Sequence, residues 1–172
     1  MGALEVSQEL LDVVDENDRV VAVKTRGEIH AQGLMHRAVH ILVFNQQGDL
    51  FIQKRSMNKD ESPGLWDTSA AGHVDSGEDY VGCAVRELFE ELGITVQSPL
   101  EFLFKLQPKI VSGMEHNVVY SYVDDGPFQL QEEEIDEGKW ISKVNMDRRV
   151  ELSDPSLTQV VCQIWGQFRQ FK

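Results

Sequence analysis

The sequence is poor in positive charge and in cysteine. Lys and Arg number 16 against 29 Asp and Glu, giving a formal net charge of −13 over 172 residues. Such a surface repels a phosphate backbone at long range and has no basic stripe, which argues against a nucleic acid polymer as partner. A small anionic substrate stays compatible, because bound divalent cations invert the local field. The two cysteines, Cys83 and Cys162, cannot build a disulfide framework and have no metal-ligand spacing. No apolar run approaches membrane-span length, so no membrane partner is expected. Met1-Gly2-Ala3-Leu4-Glu5-Val6 has neither the basic nor the apolar region of a signal peptide, and Val6 stands where myristoylation requires Ser or Thr. A cytoplasmic protein is the expectation. The length suits a single domain over residues 1–172.

What is present reads as alternating strands and helices. Leu10 to Val14 and Val20 to Lys24 flank a turn-like Asp15-Glu16-Asn17-Asp18 and predict a hairpin. His30 to Met35 reads as a loop around Gly33. Arg37 to Phe44 is apolar on both faces except at His40, the pattern of a central covered strand. Leu50 to Arg55 follows after a turn. A helix is expected from a Ser76 cap, with an apolar face of Val81, Ala84, Val85, Leu88 and Leu92 and a stop at Gly93. Strands are expected at Glu101 to Leu106, Asn117 to Val123 and Lys139 to Ile141, the last after an acidic loop from Glu132 to Glu137. Ser153-Asp154-Pro155 reads as the start of a final helix carrying Leu157, Val160, Val161, Ile164, Trp165 and Phe168. The fold class is therefore α/β, a mixed sheet with helices on both faces.

The chemistry concentrates in one helix. Between Arg86 and Glu91 the chain reads Arg-Glu-Leu-Phe-Glu-Glu. At 100° per residue, Glu90 and Glu91 fall roughly 60° and 40° either side of Glu87. Like charges so placed cost a helix a few tenths of a kcal/mol, unless a hard cation uses the oxygens. Arg86, four residues before Glu90, offers a fork to hold a carboxylate. Glu78 lies nine residues before Glu87 on nearly the opposite azimuth, so it joins the site only from the frayed start of the helix. A solvated acidic face is the plain alternative for the triple taken alone.

The wider window, Gly72-His73-Val74-Asp75-Ser76-Gly77-Glu78 and then Arg86-Glu87-Leu88-Phe89-Glu90-Glu91-Leu92-Gly93-Ile94, resembles the Nudix box without departure. The resemblance implies a Nudix-type α/β/α sandwich with a mixed sheet and a hydrolase dependent on Mg²⁺ or Mn²⁺. It implies metal ligation by Glu87, Glu90, Glu91 and the backbone carbonyl of Ala71, with Arg86 orienting the carboxylates. Glu78 is included in the catalytic set. Arg55 and Lys59 are expected to meet substrate phosphate, and Glu134 to bring a further carboxylate. Gly72 is expected where the chain passes close to the metal.

Leu11-Asp12-Val13-Val14-Asp15-Glu16, His36-Arg37-Ala38-Val39, Gln53-Lys54-Arg55 and Pro63-Gly64-Leu65-Trp66-Asp67 resemble type I isopentenyl diphosphate isomerase and its hydrolase relatives. That enzyme holds one metal with three histidines and two glutamates. The resemblance implies a second metal site at His36, His73 and Glu134, with His30 and Glu132 as looser matches; hydrogen-bonded histidines are the alternative. The isomerase carries a catalytic cysteine where this chain has Ala71, so hydrolysis is favoured. Within that class a pyrimidine nucleoside diphosphate such as CDP or UDP comes first, and a prenyl diphosphate second. A non-catalytic nucleotide-binding domain is the further alternative, disfavoured because no box carboxylate is lost. Family members are often dimers, which leaves a homodimer open. Trp66, Phe104 and Tyr120 are expected in the core, as are His40 and Cys162; His116 gives no signal.

Overall fold

A computed structural model describes residues 8–171. The N-terminal residues inspected for targeting signals therefore lie outside it. β1 (Leu10–Val14) and β2 (Val20–Thr25) form the expected hairpin as a separate two-stranded sheet. Helix α1 (Arg26–Gln32) follows where a loop was expected from His30. Thr25 caps it in a reciprocal pair with Glu28, and Gly33 closes it at φ 64°. The Thr-x-x-Glu signature was thus present in the sequence.

The main sheet contains β3 (His36–Phe44), β4 (Leu50–Arg55), β5 (Trp66–Asp67), β6 (Ala70–His73), β7 (Glu101–Leu106), β8 (Glu115–Val123) and β9 (Ile135–Ile141). β3 runs parallel to β8 along its whole length, which buries it between neighbours and accounts for its unbroken apolar run. β3 and β4 are paired only at Phe44↔Leu50. Beyond that point they diverge, and the segment from Trp66 to His73 fills the split, pairing with β4 through β5 and with β3 through β6. Ser69 closes the fork: its hydroxyl accepts from Val43 N–H (2.7 Å) and donates to the Phe51 carbonyl (2.5 Å).

Two apolar clusters lie on opposite faces. Helix α2 (Tyr80–Leu92) covers Val39, Ile41, Val43, Val118 and Tyr120. Helix α4 (Gln159–Phe171) covers Leu42, Phe44, Leu50, Ile52 and Val119. The mixed sheet with helices on both faces is as the pattern indicated.

Four boundaries differ from expectation. α2 begins at Tyr80, capped by Asp79, because Asp75 to Glu78 first make a turn; Ser76 instead donates to Asp12 (2.7 Å). β9 starts at Ile135 and takes in most of the supposed acidic loop, since an edge strand tolerates outward charges. Ser153 to Pro155 do not open a helix: Asp154 accepts from both N–H and hydroxyl of Ser156 in a turn, and Thr158 caps α4 by accepting from Val161 N–H (3.1 Å). A polar helix, α3 (Lys143–Glu151), precedes that turn; it buries Met146 and is capped by Ser142.

Candidate active site

The carboxylate helix is rotated from its expected setting. Val81 and Val85 are exposed, whereas Glu87 and Glu91 lie with Ala84, Leu88 and Leu92 on the buried side. The helix thus turns two of its acids toward β6, where the chain makes room for them. A Cβ on Gly72 would stand 1.9 Å from Glu87 Oε1. Only glycine admits that carboxylate.

One residue earlier, Ala71 N–H donates to Glu91 Oε1 at 2.8 Å. N–H and C=O of one strand residue point to the same edge, so the Ala71 carbonyl also faces the carboxylates rather than β3. Gln53 Nε2 donates to Glu91 Oε2 (3.2 Å) and to the Ser69 carbonyl (3.1 Å). Glu90 is exposed and reached by Arg86 Nη1 at 3.2 Å.

Arg86 is the hub of the box. It donates to Glu78 through Nε (2.9 Å) and Nη2 (3.0 Å), to Glu87 (2.9 Å), and to the His73 carbonyl (3.1 Å). Glu78 precedes the helix, so the azimuth that seemed to remove it does not apply. Burial would raise the Glu78 carboxyl, but Arg86 and the Asp75 N–H hold it below its ordinary range. Glu87 and Glu91 shift the other way. Burial drives Glu87 well up, aided by the Glu91 charge, and burial raises Glu91 to about 7 against the hydrogen bonds from Ala71 and Gln53. These buried acids are short of positive charge: Glu87 shares Arg86 with Glu78 and Glu90, and Glu91 has only the neutral donors of Ala71 and Gln53 as hydrogen-bond partners. Their hard oxygen donors, with a carbonyl on the same edge, fit Mg²⁺ or Mn²⁺.

Glu134 and Lys59 form an ion pair beside this cluster, and the Glu134 charge acts on Glu91. Arg55 donates to the Glu61 carbonyl (3.1 Å) and lies 3.5 Å from Asp67. The structure therefore brings Glu87, Glu91, Arg86, Glu78, Lys59 and Glu134 into one neighbourhood with the Ala71 backbone.

The histidines assemble on the other face of β6. Ligand atoms of His30, His36 and His73 lie within 4.8 Å of one another. Glu134 is not among them. Glu115 takes the acidic place, 2.9 Å from His73 Nε2 and 3.4 Å from His36 Nε2. His36 Nδ1 contacts the Leu34 carbonyl at 2.9 Å and must carry the proton there. Its Nε2 is buried without a hydrogen bond and lies 3.4 Å from Glu115 Oε1. Such a donor set fits a nitrogen-preferring cation better than Mg²⁺.

Burial would raise the Glu115 carboxyl, yet His36 and His73 hold it far below its ordinary value. Sequence reasoning missed Glu115, because only the parallel register His36↔Glu115 brings it there. Gln53 was passed over likewise. His40 is a satisfied core residue, 2.7 Å from Thr68 Oγ1, and His116 Nε2 contacts the Asp15 carbonyl (3.0 Å). Trp66, Phe104 and Tyr120 are buried.

Sheet, box helix and acid cluster define the class: a metal-dependent hydrolase of the pyrophosphate type. The NUDIX domain model matches residues 34–159, and the chain belongs to the Nudix family. An uncharacterized Nudix hydrolase of Yersinia pestis is 42% identical over 136 residues, covering 77% of this chain and 72% of that protein. An isopentenyl-diphosphate Delta-isomerase of Serratia proteamaculans is 35% identical over 135 residues, covering 77% and 75%. Among solved structures, a Deinococcus radiodurans protein superposes with a TM-score of 0.81 at 25% identity, covering 92% of this chain and 98% of that one. Among the described residues, no helix is long and apolar enough to cross a membrane.

Proposed function

We propose that this hydrolase cleaves the phosphoanhydride of a small diphosphate compound, with CDP and UDP first among its substrates. Glu87, Glu90, Glu91 and the Ala71 carbonyl would hold Mg²⁺ or Mn²⁺. When bound, the cation neutralises charge on the phosphate oxygens and lowers the pKa of the attacking water. Arg86 fixes Glu90 and Glu87 while its own charge is tied to Glu78. Lys59 and Arg55 supply positive charge for the substrate phosphates, exchanging their present partners Glu134 and Asp67. His30, His36, His73 and Glu115 would hold a second, different cation.

The observation that supports the reading best is Gly72. It is the residue whose missing side chain leaves room for the Glu87 carboxylate against β6, one residue from the Ala71 amide that receives Glu91. Isomerisation is disfavoured because the Ala71 methyl carries no proton to transfer. A binding-only role is disfavoured because every box carboxylate is retained.

The test is a panel of nucleoside diphosphates and triphosphates, dinucleoside polyphosphates, nucleotide sugars and prenyl diphosphates with Mg²⁺ and Mn²⁺, scored for orthophosphate and pyrophosphate. Glu90→Gln and Glu91→Gln should lower kcat strongly while the circular dichroism spectrum stays native. Failure of the native chain to bind either cation at millimolar concentration would end this reading.

A further inference from the structure

β9 ends the sheet on one side. β4 occupies one of its edges, and among the described residues no strand pairs with the other. From Glu137 to Ile141 the ladder to β4 is regular, so alternate residues turn N–H and C=O outward. None of these groups meets a further backbone partner among the described residues. A groove of about 450 Å³ is lined by Lys139, Trp140 and Ile141, with Asn145 and Arg148 of α3. Successive strand residues face opposite ways, so three in a row around one groove place it along the open edge.

An unpaired edge is a template for another strand. The charge on this one is ordered. Glu132, Glu133, Glu134, Asp136 and Glu137 come before Gly138. Lys139, Lys143 and Arg148 come after it, while Arg149 is paired with Asp154 and Asp147 with Arg169. A parallel copy of the strand would set like charges together. An antiparallel copy sets acid against base.

A twofold axis at Gly138 puts Glu137 of each copy opposite Lys139 of the other. Both side chains belong to the sheet face that α4 covers: Lys139 Nζ lies 4.3 Å from the centre of the buried Trp66 ring, and Glu137 is two residues away on the same strand. Both are exposed, and neither has an ion-pair partner among the described residues. Opposite charges so placed across a strand pair attract.

We propose that the open edge of β9 is the interface of a homodimer, in which two copies pair this strand antiparallel about Gly138 and join their main sheets into one. A second copy is favoured over an unrelated acidic or basic segment because the edge carries both signs, in an order that its own inverse matches. Such a contact is isologous and closes at two copies.

The experiment is analytical ultracentrifugation of the native protein, of Glu137→Lys, of Lys139→Glu, and of the two variants mixed in equal amounts. The native protein should dimerise at micromolar concentrations, less tightly as salt is added. Either substitution sets two like-charged pairs across the axis and should weaken self-association roughly tenfold or more. The mixture should regain native affinity as a heterodimer, because each contact again joins opposite charges. Damage to the fold of either variant could not produce that gain. A native chain that stays monomeric at millimolar concentration would overturn the inference. So would a dimer indifferent to both substitutions, or a mixture that associates no better than its components.

Discussion

Glu91 makes the stability of the metal-free protein depend on pH in an unusual direction. Its carboxyl is 4% exposed, and burial raises it from 4.5 to about 7. An acid whose folded value exceeds its unfolded value stabilises the fold while protonated. Between those two values the unfolded chain has already released its proton, so it binds fewer protons than the native state. Stability therefore falls as pH rises from 4.5 through about 7. The gap is worth about 3 kcal/mol at ~1.4 kcal/mol per tenfold, or roughly 6–12 °C in Tm for a chain of this length.

Glu91→Gln mimics the protonated acid and removes this slope. It also removes the charge that helps raise Glu87, which acts in the same sense. A constant offset is expected from the altered contact with Gln53, so the readout is the slope and not the absolute Tm. Thermal unfolding in a chelator, at steps between pH 5 and 8, should show the native protein losing stability relative to Glu91→Gln. Added Mg²⁺ should stabilise the native protein more as pH rises, because the ligand must be ionised. Parallel Tm curves for the two proteins in chelator would refute the burial argument.

Three further outcomes follow from single contacts. Gly72→Ala puts a methyl where Glu87 Oε1 lies, 1.9 Å away, but meets only a movable side chain; metal affinity should fall roughly ten- to a hundredfold by titration calorimetry with Tm little changed. Gly138→Ala drives a Cβ to within 2.2 Å of the Phe51 ring, which is wedged against Phe128 and Trp140. Overpacking of this kind costs about 1–3 kcal/mol, visible as a lower denaturant midpoint. Asp154 is held at about 2, below its ordinary 3.8, by the Ser156 hydroxyl and N–H and by Arg149. Its contribution is present above pH 3.8 and lost toward pH 2, so the native advantage over Asp154→Asn should be measurable at neutral pH and vanish in that acid window.

Much of this architecture was legible in the chain because it is local. The β3 run, the Gly93 stop and the spacing of Arg86, Glu87, Glu90 and Glu91 are written in adjacent residues. Other parts were legible but passed over, as with the Thr25–Glu28 capping box. α3 was not legible: Lys-Val-Asn-Met-Asp-Arg-Arg-Val-Glu has no apolar stripe, since only Met146 is buried. The setting of the box helix misled for a related reason. Hydrophobicity places Val81 and Val85 inward, yet the inward positions belong to Glu87 and Glu91, because β6 supplies an amide and a glycine to receive them. Glu115 joins His36 only through parallel pairing across nearly eighty residues of chain, and no spacing announces that.

The short strand β6 shows why these pieces belong to one device. Successive strand residues face opposite ways, so Gly72 meets the acidic helix while Ala71 and His73 meet the histidine face. Ala71 also turns its backbone edge toward Glu91, giving one residue contact with both sides. Both groups of candidate ligands are thus about one pleat apart and held by the same hydrogen-bonded ladder to β3. The fork between β3 and β4 is what frees the other edge of β6 for the carboxylates. Had β4 stayed paired with β3, β6 would have no place on that strand, and Glu91 would have no backbone amide to offset its burial.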